Sequence, residues 1–247
     1  LGSSPNPDGP LDVPQRRPSI VFEDDACLVL DKPAGLLTQP AIPSDDSLEQ
    51  WVREYLAPES PRSAYLGIPH RLDRPVSGLL FWAKTPKAAR RVARFFEQHR
   101  VVKEYWAIVE GRPPLSTGAA EPTVWSDWIG REPSVAGLRV ARPQPFEGSR
   151  PAESAVRWES SGTLPQRLHW LKLWPRTGRT HQLRAQAAGR GLPIVGDRLY
   201  GSREPFEPLA IALHARRLRI PHPLLDQTME FEAPIPKAWH DWRIAPL

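Results

Sequence analysis

Short apolar runs, broken by glycine, proline and acidic residues, recur along most of the chain and restrict its fold more than any other feature. Ile20-Val21-Phe22 and Cys27-Leu28-Val29-Leu30 flank Glu23-Asp24-Asp25, the pattern of a hairpin, and lead into a loop at Lys32-Pro33-Ala34-Gly35. Gly78 to Ala83 is a compact apolar run. Val102 to Val109 sets Tyr105, Ala107 and Val109 against Trp106 and Ile108, a strand with aromatic side chains on both faces. Further extended pieces are expected at Arg167 to Trp174, Ile194-Val195, Arg216 to Ile220 and Thr228 to Glu232. Residues 112–150, rich in Pro, Gly and Arg, read as loops and edge hairpins.

Helix signals are few. Ser47 with Gln50 makes a capping box ahead of Leu48, Trp51, Val52, Tyr55 and Leu56, which share one helical face. Thr85-Pro86 supplies an N-cap and a proline for the first helical position. The helix that follows has Ala88, Val92, Phe95, Phe96 and His99 on its packed side, with Arg90, Arg91 and Arg94 largely on the other. Thr180 is expected to cap a short third helix that stops at Gly189. Many hairpins with few helices predict a single α+β domain over residues 19–247, built on a mainly antiparallel sheet with flanking helices. Residues 1–18 hold five Pro, two Gly and little that is apolar, and are expected to form a disordered tail.

The charge is unevenly spread. Of the 247 residues, the first 60 carry 4 Lys+Arg against 11 Asp+Glu, a balance of −7; with 33 and 28 in the whole chain, 29 and 17 remain, a balance of +12 for residues 61–247. Of the 33 cations 27 are Arg, whose planar fork pairs with phosphate and stacks on bases, so nucleic acid is the leading class of partner, beside a merely solvated basic face. No apolar run reaches the roughly 18 residues of a membrane span, the N-terminus lacks a secretory pattern, and Cys27 stands alone. A soluble, cytoplasmic, monomeric protein is expected. The seven histidines are scattered, so neither a metal centre nor a cofactor is expected.

Four segments gather charged residues and glycine where strands end. His70-Arg71-Leu72-Asp73-Arg74-Pro75-Val76-Ser77-Gly78 sets an acid between two arginines ahead of an apolar strand. Nearby cations favour the charged carboxylate, so Asp73 suits a nucleophile or base, and equally an ion pair in a surface turn. Lys103-Glu104-Tyr105-Trp106-Ala107 is the second; a strand tyrosine is more commonly core or interface than catalyst. In Arg176-Thr177-Gly178-Arg179-Thr180-His181-Gln182-Leu183-Arg184 a turn runs into a helix start, where free amides suit an anion. Leu213-His214-Ala215-Arg216-Arg217-Leu218 is the fourth, and there His214 is open to reading as a hydrogen-bonded core histidine.

In this order the segments resemble the RluA family of RNA pseudouridine synthases. His70-Arg71-Leu72-Asp73 followed by Ser77-Gly78-Leu79-Leu80 is similar to that family's catalytic motif. Asp31-Lys32-Pro33-Ala34-Gly35-Leu36, Gly178 to Arg184, Gly196-Asp197-Arg198-Leu199-Tyr200-Gly201, and Leu213-His214-Ala215 with His222-Pro223 resemble its other motifs. The resemblance spans about residues 20–236. It departs at Val76, where Thr is common, at Pro151-Ala152-Glu153-Ser154, and in lacking the separate RNA-binding domain that many members carry.

The resemblance implies a pseudouridine-synthase-like domain with a central cleft, a mixed, mainly antiparallel sheet, and isomerisation of uridine to pseudouridine in structured ribosomal or transfer RNA without cofactor or metal. Asp73 then initiates glycosidic cleavage, by attack on the sugar or by taking a proton from it. Arg184 is its ion partner, and Tyr105 stacks on the uracil and joins the last proton transfer. Arg71 fills the gap left by the flipped base, Leu72 and Leu213 line the base pocket or simply pack in the core, and His181 belongs to the substrate-binding set. Arg90, Arg91 and Arg94 are either phosphate contacts or a solvated face. A non-catalytic RNA-binding module of the same fold is the competing reading.

Overall fold

The computed structural model describes residues 17–42, 45–111, 121–159, 164–165 and 167–242. The expected tail at 1–18 lies outside them apart from Arg17 and Pro18, as does the 112–120 part of the expected loop region. The described residues form ten strands, all in one sheet, and three α-helices. In chain order these are β1 (Ser19–Glu23), β2 (Cys27–Lys32), α1 (Leu48–Leu56), β3 (Ser77–Ala83), α2 (Pro86–Glu97), β4 (Val102–Glu110), β5 (Thr123–Arg131), β6 (Arg139–Arg142), β7 (Arg150–Glu159), β8 (Leu168–Pro175), α3 (Gln182–Ala188), β9 (Leu213–Pro221) and β10 (Thr228–Glu232).

The sheet order is β1-β2-β3-β9-β4-β8-β7-β5-β6, with β10 added on β9. All neighbours are antiparallel except β3 and β9, which meet in parallel at Ser77–His214 and Gly78–Ala215. The parallel contact draws the backbones so close that a Cβ on Gly78 would lie 2.3 Å from the Ala215 carbonyl oxygen, and Gly78 has φ +112. Glycine is required there on both counts.

The sheet's two faces are covered differently. Leu28, Leu30, Leu80 and Trp82 face α1, burying Leu48 and Val52 against them. Val29 and Phe81 alternate to the other face and pack with Val92 of α2 and Leu218 of β9. Leu218 pairs with Lys103 of β4, and residues directly opposed across a ladder share a face. On that same face Tyr105 aligns with Leu173 of β8 and Val156 of β7, and Ser154, two residues on, bonds Gln186 of α3 at 2.7 Å. Helices α2 and α3 thus sit on one side of the sheet, and the stretch of β4 around Tyr105 is the floor between them.

The local signals at α1 and α2 act much as expected. Ser47 Oγ accepts from the Gln50 amide at 3.2 Å and Thr85 Oγ1 from the Ala88 amide at 3.2 Å. The capping box is only half made, since the Gln50 side chain donates instead to Glu54. Three expectations are corrected. His99 does not lie on the packed side of α2: the helix ends at Glu97, and His99, at φ 54, is exposed beyond it. The cap of α3 is His181 in the left-handed region, not Thr180.

The third correction concerns residues 112–150. Far from holding only short extended pieces, the described part contains the nine-residue β5, paired with β7 over seven positions, and the edge strand β6. Trp125, Asp127 and Ile129 of β5 turn inward. The polar Asp127 is accommodated because Gln186 of α3 donates to it at 2.8 Å and Arg190 at 2.9 Å. Among the described residues, no helix is long and apolar enough to cross a membrane.

Candidate active site

The cleft on the floor between α2 and α3 has a volume of about 560 Å³, and Asp73, Tyr105, Arg184, Arg71, Leu72, His181 and Leu213 all line it. Residues called from four separate sequence segments therefore meet at one place. The loop carrying Asp73 precedes β3, and a second loop clamps it. Thr38 Oγ1 donates to the Leu72 carbonyl at 2.7 Å and accepts from the Leu72 amide at 3.2 Å. The Gly35 amide donates to the Arg74 carbonyl at 2.8 Å, and Arg74 Nε returns a bond to the Gly35 carbonyl at 2.9 Å. Lys32, fully buried, donates its ammonium to the carbonyls of Pro33, Leu36 and Arg74 at 2.9, 2.8 and 3.2 Å. Burial pulls the Lys32 ammonium down to about 7, opposed by the charge of Asp73. The three carbonyls favour the protonated form, so the lysine acts as a charged knot tying the opening loop to the Asp73 loop.

Arg184 Nη1 reaches Asp73 Oδ2 at 3.1 Å. Its other nitrogens grip Asp197, with Nε at 2.7 Å and Nη2 at 2.9 Å, in a fork that fixes the guanidinium plane. Arg184 and Asp197 are buried, whereas the Asp73 side chain keeps 21% of its surface and faces the cleft. Burial alone disfavours the Arg184 cation, but the hydrogen bonds and charge of Asp197 and the charge of Asp73 reverse this and hold it firmly protonated. The guanidinium also lies 5.0 Å from the centroid of the Tyr200 ring. His181 Nε2 stands 3.7 Å from Asp73 Oδ2 and His181 Nδ1 lies 3.1 Å from the Tyr200 hydroxyl. Burial lowers the His181 pKa against the pull of Asp73, which favours the neutral ring.

Tyr105 is 8% exposed, and burial, helped by the charge of Asp73, pushes its phenol far above its ordinary value. It stays protonated and presents an aromatic surface beside the carboxylate. Leu72 and Leu213 belong to the main apolar cluster and also line the cleft. Arg71 is exposed at the cleft. Arg90, Arg91 and Arg94 are exposed on α2 and do not line the cleft; Arg91 donates to the Pro223 carbonyl at 2.9 Å. The turn before α3 is less open to an anion than its sequence implied, because the Arg179 amide is already bonded to the Gln182 side chain at 3.0 Å.

Asp197, Tyr200 and Lys32 belong to motifs that carried the resemblance, but no feature of their spacing assigns them to the cleft. Asp24, Cys27 and His222 bring possible metal-ligand atoms within 4.8 Å of one another although His222 is 198 positions from Asp24. The amides of Leu224 and Leu225 donate to His222 Nδ1 at 3.1 and 2.8 Å, so Nε2 carries the proton and donates to Asp24 at 2.6 Å. A metal on Nε2 has no lone pair to take, and the cluster reads as a hydrogen-bonded staple between the β1–β2 and β9–β10 turns.

The model of the RNA pseudouridylate synthase family matches residues 26–189. The dual-specificity RNA pseudouridine synthase RluA of Escherichia coli is 32% identical over 219 residues, covering 87% of this chain and 92% of that one. The ribosomal large subunit pseudouridine synthase D of Vibrio vulnificus is 31% identical over 230 residues, 88% of this chain and 67% of that one. The structure of human RNA pseudouridylate synthase domain containing 1 superposes with a TM-score of 0.71 at 28% identity, covering 91% and 86% of the two chains. The chain belongs to the RNA pseudouridylate synthase family, in its RluA branch. Like its relatives it is an isomerase with the α+β fold of these domains.

Proposed function

We propose that the protein converts particular uridines of structured ribosomal or transfer RNA to pseudouridine, acting as a single chain. The observation that carries this reading is the cleft-facing Asp73, held by Arg184, which Asp197 in turn holds from below. A carboxylate so fixed is paired with a guanidinium, partly exposed and aimed. Those are the requirements of a group that must start the cleavage of a glycosidic bond.

The reaction breaks the bond from C1′ to N1, turns the uracil over and joins C1′ to C5; C5 then loses its proton while N1 gains one, so that no atom is gained or lost. Asp73 initiates the cleavage, by attack on the sugar or by proton removal from it. Tyr105 gives the freed ring a surface on which to turn, and its protonated hydroxyl relays the final transfer, giving its proton to N1 and taking the one that leaves C5. Arg71, exposed at the mouth, takes the place of the base that has left the stack, an extrusion that costs about a few kcal/mol. The apolar wall from Leu72 and Leu213 receives the ring, and His181 completes the polar side of the substrate pocket.

Mapping pseudouridines by a chemical adduct that stops reverse transcription, in cells with and without the gene, tests the reading. A site lost with the gene and restored by the wild-type protein but not by Asp73→Asn is expected. A positioned acid or base contributes roughly 10² to 10⁴-fold, and a cleavage-initiating group more. Restoration by the Asn variant, or no site lost in ribosomal or transfer RNA, overturns the assignment.

A further inference from the structure

Among the described residues Lys103 is a cation that no carboxylate or other hydrogen-bond acceptor partners. It lines the cleft together with Asp73, Tyr105, His70 and Phe96. It stands two residues before Tyr105 on β4, hence on the same face and about 7 Å along the strand. Among the described residues its ammonium has no hydrogen-bond acceptor and no carboxylate within 4 Å; its contact is with the Phe96 ring, whose centroid is 5.8 Å away. The other basic groups of the cleft behave differently. Arg184 is spent on Asp197 and Asp73, Arg176 pairs with Glu153, and Arg179 donates to the Pro151 carbonyl. Arg71, which also has no partner among the described residues, is exposed.

Burial lowers the Lys103 ammonium to about 8. Lys103 is half-buried at the cleft wall, and an ammonium partly withdrawn from water in this way is stabilised when an anion completes it. No neighbour serves: His70 is neutral, because burial and the charge of Lys103 take it down to about 3, and its Nε2 accepts from the Phe81 amide at 2.9 Å. Uracil carries no charge, and the sugar is already faced by Asp73. The remaining anion of an RNA in this cleft is its backbone.

We infer that Lys103 is a phosphate-binding residue, taking the backbone phosphate next to the target uridine and so fixing the nucleotide along the Asp73–Tyr105 line. The inference rests on the isomerase reading above and extends it to one atom of the substrate. In this arrangement the phosphate is held deep in the cleft at the Phe96 end of the floor, and Asp73 and Arg184 are left to the sugar.

The test pairs Lys103→Met and Lys103→Arg with a synthetic stem-loop RNA spanning the mapped uridine, in which single phosphates are replaced by neutral methylphosphonates. Lys103→Met is expected to weaken binding by roughly tenfold or more, the order for losing a hydrogen bond to a charged group. It should also flatten the dependence of log affinity on log salt by about 0.7, the value for one single-strand phosphate. Lys103→Arg should restore most of both. One methylphosphonate beside the target uridine should weaken wild-type binding as much as the Met variant does, and cost that variant little more. Additive losses at every backbone position, or an unchanged salt slope, overturn the inference. The salt-slope measurement also runs on unfractionated tRNA without turnover. Absence of pseudouridine formation by the wild type therefore counts against the isomerase reading alone.

Discussion

Asp197 receives Arg184 through both carboxylate oxygens, which leaves Nη1 as the nitrogen that turns to Asp73. Arg184 does two jobs with unequal energetic weight, since its grip on Asp197 is structural and its Nη1 turns to Asp73 at the cleft. Arg184→Met leaves the Asp197 carboxyl unpaired in the interior, and breaking such a buried pair costs about 3–5 kcal/mol. Urea unfolding should show that loss, and single-turnover activity should fall severely. Asp73→Asn should hardly move the unfolding midpoint. A Met variant as stable as the wild type would mean that Asp197 finds another partner.

Tyr105→Phe keeps the ring on the floor of the cleft and removes only the phenolic hydroxyl. Binding should be unchanged, because stacking on a base uses the aromatic face. Glycosidic cleavage should proceed, and formation of the final product should slow. Following both in a single-turnover experiment separates them, and wild-type completion in the variant would reduce Tyr105 to a stacking surface.

His214 is buried and His70 half-buried, and desolvation brings both down to about 3. In the unfolded chain each titrates near 6.5, so between pH 6.5 and about 3 the unfolded state binds more protons. Stability is therefore full above pH 6.5 and is lost as the pH falls through that window. His70→Gln can still accept from the Phe81 amide but does not titrate. Its unfolding free energy, measured by urea at pH 4 to 7, should fall less steeply than that of the wild type. Parallel curves would refute the role of His70.

The exposed arginines of α2 are no longer equivalent. Arg91 is used by the Pro223 carbonyl and ties α2 to the β9–β10 turn, whereas Arg90 and Arg94 have no partner among the described residues. If α2 faces RNA, Arg90→Gln with Arg94→Gln should flatten the salt slope by up to about 1.4, at 0.7 per single-strand phosphate, and spare turnover at saturating RNA. Arg91→Gln should lower stability slightly instead. A slope unchanged in the double variant places the RNA on another face.

Much of this arrangement was legible because it is written locally. The hairpin at β1–β2, the apolar run of β3, the caps of α1 and α2 and the span of β10 each follow from neighbours within a few positions. Strand β5 was hidden because its inward set includes Asp127, which breaks the apolar alternation; what makes that aspartate acceptable, Gln186 and Arg190, lies about sixty positions further on. The site divides in the same way. Asp73, Tyr105 and Arg184 stood out through motifs, but the grip of Asp197 on Arg184, the knot made by Lys32 and the solitary state of Lys103 depend on packing that no spacing encodes.

The parallel contact between β3 and β9 sets when in folding this site can exist. Ser77 meets His214 across 137 positions, and Asp73 meets Arg184 across 111. Contacts of such long sequence separation close late, because the loop entropy they cost is recovered only once the rest of the sheet is in place. A fragment that stops before β9 lacks Leu213 and the strand that β4 pairs with beside Tyr105, so its cleft is unfinished. Activity and complete folding of this molecule are thus one event, so that lesions far from Asp73 that loosen the sheet centre should silence it as surely as lesions within the cleft.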